Sequence, residues 1–197
     1  MSRPNIIVLD CHDSFVYNLV GILRDTFSDL CSYTIIPIEE SGDRLPEIAH
    51  STHLLLSPGP GHPAEMHGLL RLLSAVQYTH TIFGVCLGMQ ALALAFGAQL
   101  FSLPVPLHGH VSPLHFPSPD SSLFRDFPEE ATVGRYHSWA VEPHSLPPEL
   151  IVDATYADTG EIAALHHASL PISGVQFHPE SILTQGGEQW LIQGLRL

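Results

Sequence analysis

The stretch Thr81-Ile82-Phe83-Gly84-Val85-Cys86-Leu87-Gly88 most narrows what this chain can become. Thr81–Val85 reads as a buried strand, and Leu87 to Phe96 reads as a helix closed by Gly97. A single residue, Cys86, joins the two, with a glycine two positions away on either side. That spacing is the nucleophile-elbow pattern G-x-S-x-G with cysteine in place of serine. So tight a turn holds its central residue in strained geometry, and the bare glycines leave room for neighbouring backbone. The helix N-terminus favours a thiolate through its dipole. A free cysteine is also a common small core residue, so the pentapeptide alone leaves both readings open.

The flanking sequence supplies the frame that such an elbow needs. Asn5–Asp10 is an apolar run ending in an acid, as in a strand covered on both faces of a parallel sheet. Asp13 and Ser14 offer capping side chains to a helix carrying Phe15, Leu19, Ile22 and Leu23 at helical spacing, ending near Thr26. Strands are expected over Tyr33–Ile38 and His53–Ser57, the second stopped by Pro58-Gly59-Pro60-Gly61. Leu69, Leu70, Leu72, Leu73 and Val76 predict a further amphipathic helix. This alternation predicts an α/β fold, a doubly wound, mostly parallel sheet with helices on both faces.

Beyond Leu100 prolines become dense and short apolar runs alternate with turns. The runs Val111–Phe116, Thr132–His137, Leu150–Thr155 and Glu161–His166 predict mixed and antiparallel strands added to the parallel core. Ile172–Phe177 returns to a buried strand, and Gly186–Leu197 reads as a terminal helix. Without an internal repeat or a linker, residues 1–197 read as one domain.

Composition removes several function classes. A hydrophobic content of 45% against 14% charged residues supports a packed core rather than disorder. The net charge of −13 repels a polyanion, so nucleic acid is excluded as a partner. Three cysteines without C-x-x-C spacing suit neither a disulfide framework nor a structural zinc site, and point to a reducing compartment. No signal peptide precedes the first strand, and no run approaches the ~20 apolar residues of a membrane span. A cytoplasmic protein with no membrane partner is expected.

A nucleophilic cysteine requires a base, and the base an orienting group. Gln176-Phe177-His178-Pro179-Glu180-Ser181 offers both at the end of the last core strand. In an extended segment residues two apart point to one side, so His178 and Glu180 are expected to share a cleft. Ser57–Gly61 is at its plainest a turn. Functionally it is a rigid loop whose glycine N–H groups serve an oxyanion or a substrate carboxylate. Cys86, His178 and Pro58–Gly61 all fall at carboxyl ends of predicted strands, where open α/β sheets place their sites.

With these pieces assembled, Gly-Val-Cys86-Leu-Gly-Met-Gln90 and Phe-His178-Pro-Glu180-Ser resemble the class I, triad-type glutamine amidotransferases over nearly the whole chain. Asp13-Ser14-Phe15 with Asn18-Leu19, Leu56–Gly61, Arg135-Tyr136-His137-Ser138 and Phe177–Thr184 narrow the resemblance to the small glutaminase subunits of anthranilate and aminodeoxychorismate synthases. It implies a flavodoxin-like core, with Cys86 as nucleophile, His178 as base then acid, and Glu180 as its orienter. Backbone N–H groups of Gly59 and Leu87 would form the oxyanion hole. Gly59, Pro60, Gly61, Gln90, Ser138 and Trp139 would contact L-glutamine. No cofactor or metal is implied. The thiolate attacks the side-chain amide, ammonia leaves, and water hydrolyses a γ-glutamyl thioester.

The implied partner is a large chorismate-binding synthase subunit in a hetero-oligomer, which uses the ammonia to form anthranilate or 4-amino-4-deoxychorismate. A free-standing γ-glutamyl hydrolase on the same fold is the alternative. Three positions depart from the family pattern. Met89 stands for a frequent histidine, Cys11-His12 for an Asn-aromatic pair, and His108-Gly109-His110 for His-Gly-Lys. None belongs to the triad, and those near Cys11 and His110 bear on partner contacts and activation.

Overall fold

The first half of the chain alternates as its periodicity predicts. β1 (Asn5–Asp10), α1 (Val16–Thr26), β2 (Ser32–Pro37), α2 (Leu45–His50), β3 (His53–Leu56), α3 (Leu69–Val76), β4 (Thr81–Val85) and α4 (Leu87–Ala95) follow one another. The second half adds β5 (Leu100–Ser102), β6 (His110–His115), β7 (Thr132–Arg135), β8 (Trp139–Val141), β9 (Leu150–Tyr156), β10 (Ile162–His167), β11 (Ile172–Val175) and α5 (Gly187–Leu195). This computed structural model describes residues 3–66, 68–117, 123–124, 127–128 and 131–197.

Nine strands form one sheet in the order β2-β1-β3-β4-β11-β10-β9-β6-β7, and β5 pairs with β8 in a separate ribbon. From β2 to β11 all neighbours run parallel. From β11 onward the pairing is antiparallel. The expected parallel core with added antiparallel strands is what forms.

Strand alternation divides the core between the two faces. Ile6 and Val8 of β1 join a cluster with Val16, Leu19 and Leu23 of α1 and Trp190, Leu191 and Leu195 of α5. Ile7 and Leu9 point the other way, to Leu69, Leu72 and Leu73 of α3 and Leu87, Ala91 and Leu92 of α4. Each fully buried aliphatic side chain contributes roughly 1.5–3 kcal/mol, and this two-sided burial is what the uninterrupted apolar strands require.

Three local readings are corrected. Asp13 and Ser14 give α1 no side-chain cap, since its first position is preceded by Phe15. Asp13 instead accepts the Phe15 N–H at 2.8 Å, closing a turn before the helix. α2 lies where no element is expected, being six residues long with Pro46 in its first turn and Ile48 buried in the core. The predicted run Thr132–His137 ends as a strand at Arg135, and Trp139–Val141, where no strand is expected, pairs with β5.

Because β1, β3, β4 and β11 are parallel, their carboxyl ends open along one edge of the sheet. Four segments meet there, namely Cys11–Phe15, Ser57–Gly61, Cys86 and Gln176–Glu180. Ser57 ties two of them together, its Oγ accepting the Cys11 N–H at 2.9 Å.

Candidate active site

Cys86 stands between β4 and α4 with φ 52° and ψ −104°. For a residue with a side chain such a backbone costs on the order of 1–3 kcal/mol and persists only where the surroundings enforce it. The surroundings are main chain. Cys86 N–H donates to Val175 O at 2.7 Å, and Cys86 O accepts from Gln90 N–H at 3.1 Å. A Cβ on Gly84 would lie 2.5 Å from the Gly88 carbonyl carbon, and one on Gly88 would lie 2.6 Å from Leu56 O. The two glycines therefore allow the strand, the turn and the helix to touch backbone to backbone.

Gln176 to Glu180 leaves β11 and brings the second group to the sulfur. His178 Nδ1 and Glu180 Oε1 are 2.7 Å apart, and both side chains are buried. The expected pairing holds, but strand alternation is not its cause. The chain turns at Pro179, with the Ser181 N–H donating to His178 O at 3.1 Å. Thr184 Oγ1 secures the same carbonyl at 2.6 Å while accepting the Gly134 N–H at 3.0 Å. The His178 ring is edged by Phe15 at 5.3 Å and Tyr136 at 5.0 Å between centroids.

The electrostatics of His178 follow from this enclosure. Burial alone lowers an imidazole pKa, but hydrogen bonding and charge from Cys86 and Glu180 outweigh it and raise His178 to about 11. Its Nε2 is buried without a partner inside hydrogen-bond geometry, and so is Glu180 Oε2.

A cleft of about 270 Å³ opens at Cys86. It is lined by Gly59, Pro60 and Gly61 from one loop, by Gln90 of α4, and by Tyr136 to Trp139 between β7 and β8, with Asp13 at its margin. The Ser57–Gly61 loop fits there because Gly59 is bare, as a Cβ would meet Cys11 O at 2.6 Å. Every residue expected to contact substrate lines this cleft. Leu87 is buried as the first residue of α4 and does not line it.

This geometry is matched by known sequences. The family model Glutamine amidotransferase class-I matches residues 7–196. This chain is a class-I glutamine amidotransferase. Anthranilate synthase component 2 of Haemophilus influenzae is 42% identical over 194 residues, covering 97% of this chain and 96% of the relative. Aminodeoxychorismate/anthranilate synthase component 2 of Bacillus subtilis is 37% identical over 191 residues, covering 94% and 93%. The crystal structure of a candidate GMP synthase component from Thermoplasma acidophilum has the same fold. The TM-score is 0.83 at 24% identity, over 100% of this chain and 94% of that one.

Several residues of this amidotransferase's cleft carry contacts that the sequence did not assign. Gln176 Nε2 donates toward Cys86 Sγ at 3.5 Å, and Gln176 Oε1 accepts from Gln90 Nε2 at 3.0 Å. Gln90 Nε2 also donates to Trp139 O at 2.7 Å. The His62 ring meets Trp139 edge-on at 4.9 Å. Gln176 and the Arg135–Ser138 run were visible as motif letters, but hydrogen bonding between β11, α4 and β8 has no local signature.

The departures from the family pattern are absorbed differently. Met89 is fully buried, packed where a Cβ on Gly174 would lie 2.8 Å from its Cγ. Burial pushes the Cys11 thiol up to about 12, leaving it protonated and inert. His12 takes φ 65° and pairs at 2.8 Å with Glu39 on the surface.

Proposed function

We propose that this chain is the glutaminase subunit of a chorismate-aminating synthase, one domain that hydrolyses L-glutamine at Cys86 and hands ammonia to a large partner subunit. The observation that carries the reading is the arrangement at one sheet edge of a strained cysteine, a buried His178–Glu180 pair and the glycine loop. The names of the Haemophilus influenzae and Bacillus subtilis relatives supply the chorismate context.

The proton inventory shapes the mechanism. With its pKa raised to about 11, His178 rests as an imidazolium beside the sulfur. In the proposed reaction the nucleophile is the Cys86 thiolate with that imidazolium beside it. Cys86 Sγ attacks the side-chain amide carbon of glutamine, and the carbonyl π electrons move onto oxygen. Backbone N–H groups of Gly59 and Leu87 receive that oxyanion. His178 passes its proton to the amide nitrogen, the C–N bond breaks, and ammonia leaves a γ-glutamyl thioester. Neutral His178 then takes a proton from water as it attacks the thioester, and glutamate departs with the thiolate and imidazolium restored. Glu180 holds the ring through Nδ1 in both steps.

The test is reconstitution with the chorismate-binding subunit. Glutamine-dependent amination should vanish in Cys86→Ser, while amination by the same complex with ammonium salt continues. Retained glutamine-dependent amination in that variant would overturn the assignment of Cys86. Glutamine hydrolysis by the isolated chain as fast as in the complex would indicate a free-standing γ-glutamyl hydrolase.

A further inference from the structure

Behind the Ser138–Trp139 side of the cleft lies a buried charge that the reaction does not consume. Arg135, at the end of β7, is 1% exposed. Its Nη2 pairs with Glu161 Oε2. Nη1 donates to Ser112 Oγ at 3.3 Å and Thr159 Oγ1 at 3.4 Å, and the guanidinium carbon lies 3.7 Å over the Tyr156 ring. Burying a guanidinium is costly unless its donors are matched, and these contacts match its two terminal nitrogens. The third nitrogen, Nε, donates to His137 Nε2 at 3.2 Å.

That contact decides a tautomer. A guanidinium has donors and no acceptor, so the Nε2 that receives it carries no hydrogen, and the proton of a neutral imidazole sits on Nδ1. Nδ1 lies 2.9 Å from Trp139 O and donates to it. Burial first, and then the charge of Arg135, push the His137 pKa down to about 3, so the ring stays neutral. Trp139 O thereby accepts from two donors, His137 Nδ1 and Gln90 Nε2 at 2.7 Å. The segment between β7 and β8 that faces the cleft is pinned at that carbonyl.

Resting on the reading of this cleft as the glutamine pocket, we infer that Arg135 is a positioning residue for the amino-acid substrate, fixing the His137 tautomer that anchors the Ser138–Trp139 wall. With the proton on the other nitrogen, a lone pair of His137 would oppose the lone pairs of the Trp139 carbonyl. The Trp139 carbonyl would then lose one of its two side-chain donors. Arg135 touches neither sulfur nor substrate and acts through His137 alone.

Two measurements on the full chain test this. Nitrogen-15 NMR of the native protein, with the His137 signals assigned by their loss in His137→Leu, should show a neutral Nδ1–H imidazole that does not titrate across about pH 5 to 8. An Nε2–H form, or a ring charged at neutral pH, overturns the inference.

The second measurement uses 6-diazo-5-oxo-L-norleucine, a glutamine-shaped alkylating agent, beside iodoacetamide, which needs no pocket. Arg135→Gln leaves Glu161 and the more distant Asp158 carboxylate, 3.9 Å from Nη1, without their cation, so Arg135→Gln/Glu161→Gln, which removes the closer ion pair entirely, is its companion. In either variant that folds, the inactivation constant KI for the glutamine analogue should rise about tenfold, the scale of one hydrogen bond. The saturating inactivation rate and the iodoacetamide rate should stay as in the native chain. In a His137→Leu background the same substitutions should add nothing further, since the effect passes through that ring.

An unchanged KI, a fall in the iodoacetamide rate, or simple additivity with His137→Leu overturns the positioning role. Failure of the pocket reading itself looks different. In that case Cys86→Ala would be labelled by the glutamine analogue as readily as the native chain.

Discussion

Gln90 and Gln176, both buried, share a hydrogen bond of 3.0 Å whose outer ends reach the Trp139 carbonyl and the Cys86 sulfur. The Trp139 side of the cleft and the Cys86 sulfur thus hang on one pair of amides. Gln176→Leu removes the donor at the sulfur and leaves a Gln90 N–H without its acceptor. An unmatched buried donor costs about 1–3 kcal/mol. The variant should fold, with lower stability, and its alkylation by iodoacetamide should slow by roughly three- to tenfold, in line with losing a hydrogen bond at the sulfur that reacts. Native-like alkylation would show that Gln176 does not support the thiolate.

Glu180→Gln tests who holds the proton on His178. The His178 pKa rises on folding from 6.5 to about 11, so the folded state binds that proton more tightly than the unfolded chain. Such a group gives its full stabilisation below the unfolded value, and the contribution is lost as pH climbs through the folded one. Removing the carboxylate should therefore lower Tm most near pH 6, with the gap from native closing steadily toward pH 11. Thermal melts across that range check it, and a gap independent of pH would exclude Glu180 from holding the proton.

The glycines around the elbow give a steric prediction with an internal control. Gly88→Ala places a methyl group 2.6 Å from Leu56 O and 2.7 Å from Leu56 Cβ, where backbone has nowhere to go. Overpacking of this kind costs about 1–3 kcal/mol, each roughly 2–4 °C of Tm in a chain of this size. Activity should fall with it as Cys86 is displaced. Gly21, inside α1, has nothing within 4 Å of such a methyl, so Gly21→Ala should raise stability by about 0.5–1 kcal/mol. Differential scanning calorimetry of both variants decides the matter.

Ile182 is 99% exposed and stands two residues beyond Glu180. Ile182→Asp should leave the stability of the isolated chain within about 0.5 kcal/mol of native, as for most exposed positions. If the partner docks over this edge, the variant should bind the chorismate-aminating subunit more weakly and lose glutamine-dependent amination. Ammonium-dependent amination should persist. Unchanged affinity by titration calorimetry would move the interface elsewhere.

The parallel half was legible because every constraint on it is local. The apolar run of β1 and the helical spacing in α1 and α3 each need only their own residues to be read. The elbow was legible for the same reason, since Gly84, Cys86 and Gly88 encode their own turn. Long-range pairing hid the rest. Leu45–His50 is too short and too polar to announce a helix, and it exists because Ile48 finds a core to enter. Trp139–Val141 is only three residues long, and it becomes a strand because the distant Leu100–Ser102 pairs with it. Arg135 entered only as a letter of the Arg135–Ser138 motif, and its burial depends on Glu161, Tyr156 and His137, which no local pattern brings to it. His178 and Glu180 were rightly paired on the wrong grounds, a two-residue period standing in for a turn at Pro179.

The backbone contacts of Gly84 and Gly88 bear on how the sulfur is carried. A contact between main-chain atoms has no rotamer to flip, so the sulfur's carrier is as stiff as the sheet itself. A signal arriving from a docked protein cannot swing Cys86 toward or away from glutamine without dragging β4 and α4 along. Around the sulfur, by contrast, Gln176, His178 and Tyr136 are held by side-chain hydrogen bonds. Any change in reactivity at this sulfur therefore has to come from those side chains, since the backbone that carries it is fixed.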